Sequence, residues 1–151
     1  GITDDMIDEI ARRGIAVVPT LVNIDTFPQI AQQGQAKFPL YAAHMRALFA
    51  TSRDRILAAW EAGIPIYTGT DAGGSQPHGL VREEIRALVG AGIPIADVIA
   101  GASWKAREWL GWPGLEDGAP ADFIVFDEDP RINLEKMYFP RLTVLRGRIV
   151  G

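Results

Sequence analysis

Apolar positions along this chain change their spacing several times, and the changes mark out its elements. Met6, Ile7, Ile10 and Ala11 fall on one helical face behind Thr3 and ahead of Arg12, Arg13 and Gly14. This predicts a helix capped by Thr3, with Asp4 and Asp5 at its positive end and Gly14 as its stop. Ile15-Ala16-Val17-Val18-Pro19-Thr20-Leu21 is apolar on both faces, as a strand in a buried parallel sheet would be. Residues 22–39 carry Asn23, Asp25, Pro28, Gly34 and Pro39. They read as a long mixed connection of the kind that forms a lid or an active-site loop. Leu40, Ala43, Ala47, Leu48, Ile56, Leu57 and Trp60 then predict a long helix over about 40–62, ended by Gly63. Ile64-Pro65-Ile66-Tyr67-Thr68 is a second short strand, opening into Gly69-Thr70-Asp71-Ala72-Gly73-Gly74.

Val81, Ile85, Leu88 and Val89 predict a helix starting near Gly79, and Ile95, Val98, Ile99, Ala102, Ala106, Trp109 and Leu110 a last one over about 95–110. Ala62-Gly63-Ile64-Pro65-Ile66 recurs as Ala91-Gly92-Ile93-Pro94-Ile95. One copy leads into a strand and the other into a helix, so they share a helix-ending glycine and a short apolar connector and are not a repeat. Strand, helix, strand, helix indicates α/β with parallel strands. After Gly111 the texture changes. Phe123-Ile124-Val125-Phe126 reads as a strand, and 142–145 and 148–150 as two more around an Arg146-Gly147 turn. Phe123, Val125, Val144 and Ile149 are expected to face inward.

Composition narrows the classes. Hydrophobic residues make up 48% and charged residues 23% of 151 positions, which fits a globular protein. A net charge of −4 gives no footprint for nucleic acid or an anionic membrane, and no apolar run is long enough to span a bilayer. With no cysteine there is neither a disulfide framework nor a thiolate metal site. The default compartment is the cytoplasm, since Gly1-Ile2-Thr3-Asp4-Asp5 lacks the basic region of a signal peptide.

Asp71 is the foremost candidate for chemistry. It follows a buried strand, in a glycine-rich turn, and sites in parallel α/β folds gather at the C-terminal strand ends. The competing structural role is a carboxylate that bonds turn amides. His78, at the mouth of the next helix, is a candidate for binding substrate. His44, inside the long helix, and Glu83 and Glu84, as first-turn helix acids, are more simply structural. One hydroxyl among Tyr67, Thr68 and Thr70 is expected to face the pocket. Ser75 and Ser103 have no triad partner at any recognisable spacing, and the glycines at 69–74 lack the Gly-Lys-Ser/Thr ending of a phosphate loop.

Taken in order, the motifs resemble the amidohydrolase superfamily, close to imidazolonepropionase and the metal-dependent dipeptidases. Residues 14–21 look like the seventh barrel strand and 66–73 like the eighth. Residues 102–111 look like the helix that closes the barrel. Gly118 to Asp127, Asp129-Pro130 and 144–150 look like the C-terminal β extension. The resemblance implies the last two strands and helices of a (β/α)8 TIM barrel over 1–115, and strands of a small composite β-sandwich over 116–151. It implies a divalent metal, commonly zinc, with one or two ions in the complete enzyme. Asp71 maps onto the strand-eight aspartate, a metal ligand and the general base. The family's remaining ligands are a His-x-His pair, a lysine or glutamate, and further histidines, and none of these has a counterpart here. The chain alone is therefore expected to be inactive and to bind no metal by itself. Its expected partners are a small amide, lactam or dipeptide-like substrate and either the missing N-terminal barrel half or a second copy. The rival reading is a non-catalytic scaffold or interaction module derived from such a barrel.

Overall fold

The computed structural model describes residues 1–74 and 76–151. They fold as α/β, in two compact units, Gly1–Pro94 and Ile95–Gly151.

In the first unit, helix α1 (Asp4–Arg12) opens where expected, with the Thr3 hydroxyl accepting from the Met6 amide at 3.4 Å. The long helix α4 (Pro39–Glu61) starts on a proline, whose missing N–H is no loss in a first turn. Ile7 of α1, Ala59 of α4 and Ile64 form one core, joined by Ile2, Ile10, Ala11, Val17, Ala58 and Ile66. The recurring Ala-Gly-Ile-Pro-Ile segment has a single physical cause. At both copies the glycine turns left-handed, Gly63 at φ 81° and Gly92 at φ 106°. The amide after it then reaches back to a carbonyl five residues earlier, Ile64 to Ala59 and Ile93 to Leu88. This glycine closure satisfies the last carbonyls of a helix and buries the isoleucine after the glycine.

Two expectations for the helices and their connections need correction. The connection at 22–39 is not a lid without structure: it holds α2 (Leu21–Ile24) and α3 (Phe27–Gly34). Phe27, Ile30 and Ala31 of α3 pack on Ala42, Met45 and Leu48 of α4, so α3 and α4 form an antiparallel helical hairpin. The helix expected over 95–110 is two, α6 (Ile95–Gly101) and α7 (Trp104–Trp109). Its break falls where the Ser103 hydroxyl donates to the Ile99 carbonyl, a local bond that competes with the helical ladder. Between α4 and α6 in the chain lies α5 (Val81–Gly90), at the expected place.

The two strand segments of the first unit meet at one parallel bridge, Val17 to Ile66. The Val17 amide donates to Pro65 at 2.9 Å, and the Tyr67 amide to Val17 at 2.9 Å. Side chains alternate along an extended chain. Val17, Ile64 and Ile66 pack in the core with α1 and α4, which turns Val18 and Gly69 to the other face, where they meet. Val18 remains 49% exposed there.

In the second unit, β1 (Phe123–Val125), β2 (Leu142–Leu145) and β3 (Arg148–Ile149) form an antiparallel sheet in that order. Phe123 stands opposite Val144, and Val144 opposite Ile149. A 3-10 turn, Leu134–Tyr138, lies in the β1–β2 connection. Arg146 and Gly147, at φ 50° and 73°, are both left-handed, as a two-residue hairpin turn matching strand twist requires. Val144 is buried and Phe123 and Val125 are half-buried, but Ile149 is 72% exposed, against expectation. It sits in a two-residue edge strand with no neighbour beyond it in this sheet.

A Cβ added at Gly69 would lie 2.4 Å from Val18 Cγ1, closer than packed atoms approach. Gly69→Ala is expected to destabilise the chain by about 1–3 kcal/mol, the usual cost of overpacking. Val18→Ala in the same chain should recover most of that loss. Urea denaturation of the two single variants and the double variant measures both effects, and additive losses would mean that the two positions do not meet.

Candidate functional site

The parallel bridge brings the C-terminal ends of the two strand segments side by side, and each ends abnormally. Thr20 (φ 50°) and Asp71 (φ 53°) both adopt the left-handed conformation that non-glycine residues avoid. At Thr20 the chain turns into α2. At Asp71 it turns into a tight segment in which the Gly73 amide donates to the Gln76 carbonyl at 3.2 Å.

These two reversals place Asn23 and Asp71 together. The Asn23 Nδ2 donates to the Asp71 Oδ2 at 2.8 Å, linking side chains 48 positions apart. Gln76, 9% exposed, donates from its Nε2 to the Asn23 Oδ1 at 3.5 Å, a weak bond that fixes which way the Asn23 amide points. Asp71 is exposed, and Asn23 occupies one of its carboxylate oxygens.

Beneath this network lies Glu84 of α5, fully buried at 0% exposure. Its Oε1 accepts from the Leu21 amide at 2.9 Å and its Oε2 from the Val22 amide at 2.8 Å. These are the first two amides of α2, which no residue of its own helix satisfies. Thr20, the residue in the capping position, makes no side-chain bond there. Burial pushes the Glu84 carboxyl above its ordinary value of 4.5, opposed by the Val22 and Leu21 amides; Asp25 raises it further and Arg53 lowers it. Asp25 and Arg53 form an ion pair at 2.7 Å.

The other candidates fall around this centre. The His78 imidazole is exposed and leans toward Gly73, where a Cβ would lie 3.9 Å from its Cε1. No hydrogen bond joins His78 to Asp71 among the described residues. His44 is exposed on α4. The Thr68 hydroxyl is buried without a hydrogen-bond partner among the described residues. Ser75 lies outside the described residues. A mainly apolar cleft of about 330 Å³ is lined by Val17, Val18, Thr20, Asn23, Phe27 and Leu48, among others, and by neither Asp71 nor His78. Asn23 thus both lines the cleft and touches Asp71. The sequence signals Asp71 through its place after a strand. It holds no sign that Asn23 and Gln76 converge there, and it presents Glu84 as an ordinary first-turn acid.

A metal needs several donors. Asp71 is a suitable oxygen donor, but no group of three or more His, Cys, Asp or Glu stands together among the described residues. The side chains present do not by themselves complete a metal centre. No helix among the described residues is long and apolar enough to cross a membrane.

The Amidohydrolase family model matches residues 2–150. Uncharacterized proteins of Mycobacterium tuberculosis and Mycobacterium bovis are 45% identical over 151 residues, all of this chain and 40% of theirs. A Xaa-Pro dipeptidase with methionine bound in its active site superposes with a TM-score of 0.80 at 19% identity, over 99% of this chain and 37% of that one. A solved amidohydrolase gives 0.74 at 27% identity over 97% and 37%. The A. niger ochratoxinase gives 0.77 at 23% identity over 97% and 34%. The chain therefore spans well under half the length of the proteins it matches.

The displaced Glu84 carboxyl makes stability depend on pH with a defined sign. Its folded value lies above its unfolded one, so the folded chain holds the proton more tightly. The contribution is fully present below about pH 4.5 and is lost as pH rises through the elevated value. Glu84→Gln cannot titrate. Urea unfolding of both chains between pH 4 and 7 should show wild type gaining stability relative to Glu84→Gln as pH falls. Parallel curves, or a wild type that loses ground in acid, would contradict the burial argument.

Proposed function

Because this chain belongs to the amidohydrolase family, we propose that it forms the C-terminal part of a metal-dependent hydrolase that cleaves a C–N bond in a small amide, lactam or dipeptide-like substrate. In this reading residues 1–115 supply the last two strands and helices of a (β/α)8 barrel, and 116–151 part of a composite β-sandwich. The remaining strands come from another part of the protein or from a second chain. Exposed Val18 on the inner face, and exposed Ile124, Leu145 and Ile149 on the small sheet, support that need for further cover. The chain alone is inactive, and the complete enzyme works in the cytoplasm.

One observation carries the reading: Asp71 stands exposed at the C-terminal end of a parallel strand segment, with one carboxylate oxygen held by Asn23. The other oxygen can accept a proton from an attacking water and pass it to the departing amine. That is the general-base role of a positioned carboxylate. One or two divalent ions, zinc foremost, would take Asp71 as one ligand beside ligands from outside this chain. Such an ion, when bound, lowers the pKa of water to about 7. His78, on the loop beyond Asp71, binds the substrate. The solved Xaa-Pro dipeptidase, similar in fold, fits a substrate of dipeptide type.

Asp71→Asn keeps the size and the Asn23 contact surface but removes the basic oxygen. In the chain completed with the remaining barrel strands, it should fold and should lose turnover by about 10²–10⁴-fold. His78→Ala should raise KM more than it lowers kcat. The checks are kcat, KM and bound metal for both variants. Wild-type turnover in Asp71→Asn would sink the mechanism, whereas no turnover in the completed wild-type chain would favour a scaffold without catalysis.

A further inference from the structure

Glu84 is the buried acid that the proposed chemistry leaves unused, and its bonds point toward the site. Its two oxygens hold the amides of Leu21 and Val22, and the next residue in the chain is Asn23, whose side chain holds Asp71. The Asn23 amide itself bonds the Thr20 carbonyl, so the turn from Thr20 to Asn23 is fixed at both its outer and inner sides. Thr20 is in the left-handed region, a conformation that costs about 1–3 kcal/mol and persists only when neighbouring bonds over-determine it. Among the described residues, the Glu84 bonds are the side-chain bonds that reach the backbone of this turn from a different element, 63 and 62 positions away.

We propose that Glu84 is a positioning residue for Asp71, acting through Asn23: by clamping the first two amides of α2 it holds the Asn23 side chain in bonding distance of the carboxylate. This rests on the reading of Asp71 as the working group. It goes further in assigning the geometry of Asp71 to an acid on the next helix that, among the described residues, makes no hydrogen bond to Asp71 itself. The geometry favours positioning over simple stabilisation. A buried carboxylate has a desolvation cost that comparable apolar packing avoids, so such groups are weak stabilisers and are better suited to fixing one arrangement. Glu84 spends both oxygens on one turn, and that turn carries the side chain that bonds the Asp71 carboxylate.

The test uses the Asn23 side-chain amide as a spectroscopic reporter. In isotope-labelled chain, Asp71→Ala should shift the Asn23 side-chain amide signals, because it removes their acceptor. In a Glu84→Gln background, still folded by circular dichroism, the same Asp71→Ala change should leave those signals where they were. If Glu84→Gln does not fold, Glu84→Asp is read in the same way, since it keeps the charge but shortens the reach. An undiminished Asp71→Ala shift in a folded Glu84 variant would overturn the proposal. In the completed enzyme, Glu84→Gln and Asn23→Ala should each lower kcat by up to about 10²-fold with little change in KM, the scale of a small misplacement. The double variant should be no worse than the worse single one, whereas additive losses would count against a shared route. The reporter measurement needs no turnover, so it still decides the role of Glu84 if Asp71→Asn shows the hydrolase reading to be wrong.

Discussion

The structure around the strand ends depends on one buried charge. Glu84 has no exposed surface, yet its carboxylate accepts two amide bonds at 2.9 and 2.8 Å. Taking an acid out of water costs several kcal/mol, and two hydrogen bonds to a charged group return about 1.5–3 kcal/mol each. The bonds offset most of the cost, with burial the larger of the two. The net effect on stability is therefore small, while the effect on geometry is large, because any other path of the chain at Leu21 and Val22 would leave a buried charge unpaired. The penalty for misplacement, more than the gain from formation, keeps the turn after Thr20 in one shape.

That division explains which parts of the fold could be read from the sequence. Elements set by local spacing were legible. The apolar face of α1, the glycine stops at Gly14, Gly63 and Gly92, and the Arg146-Gly147 turn each depend on residues within about five positions of one another. α3 was legible in principle, since Phe27, Ile30 and Ala31 have helical spacing. Pro28, Gly34 and Pro39 hid it, although Pro28 lies in a first turn, where proline does no harm. α2 was not legible at all. Four residues cannot nucleate a helix alone, and the group that satisfies its amides lies on α5.

The site divides in the same way. The place of Asp71, after an apolar strand and among glycines, is a statement about neighbours in sequence, and it could be read directly. The placement of Asn23 and Gln76 depends on the parallel bridge at Val17 and Ile66 and on two left-handed residues. No pattern of residue types encodes that convergence. Glu84 shows the limit most plainly. A glutamate in the first turn of a helix is well explained by its own helix dipole, and nothing local distinguishes the one that serves another helix instead.

Backbone strain bears on the choice between a working site and an inherited scaffold. Thr20 and Asp71 end adjacent strand segments, and both hold a conformation that glycine would adopt without cost. Glycine at either position would relieve the strain, and the segment 69–74 already uses glycine at 69, 73 and 74. What glycine could not supply at 71 is a carboxylate in reach of Asn23. Strain kept where a freer residue was sterically possible is a mark of a side chain needed for itself. The same logic separates Asp71 from His78. His78 comes after the turn in an exposed position, unbonded to Asp71 among the described residues, and its own backbone is not left-handed. Of the two strained residues, Asp71 is the one whose side chain bonds a side chain 48 positions away, a fixed carboxylate of the kind the proposed general base needs.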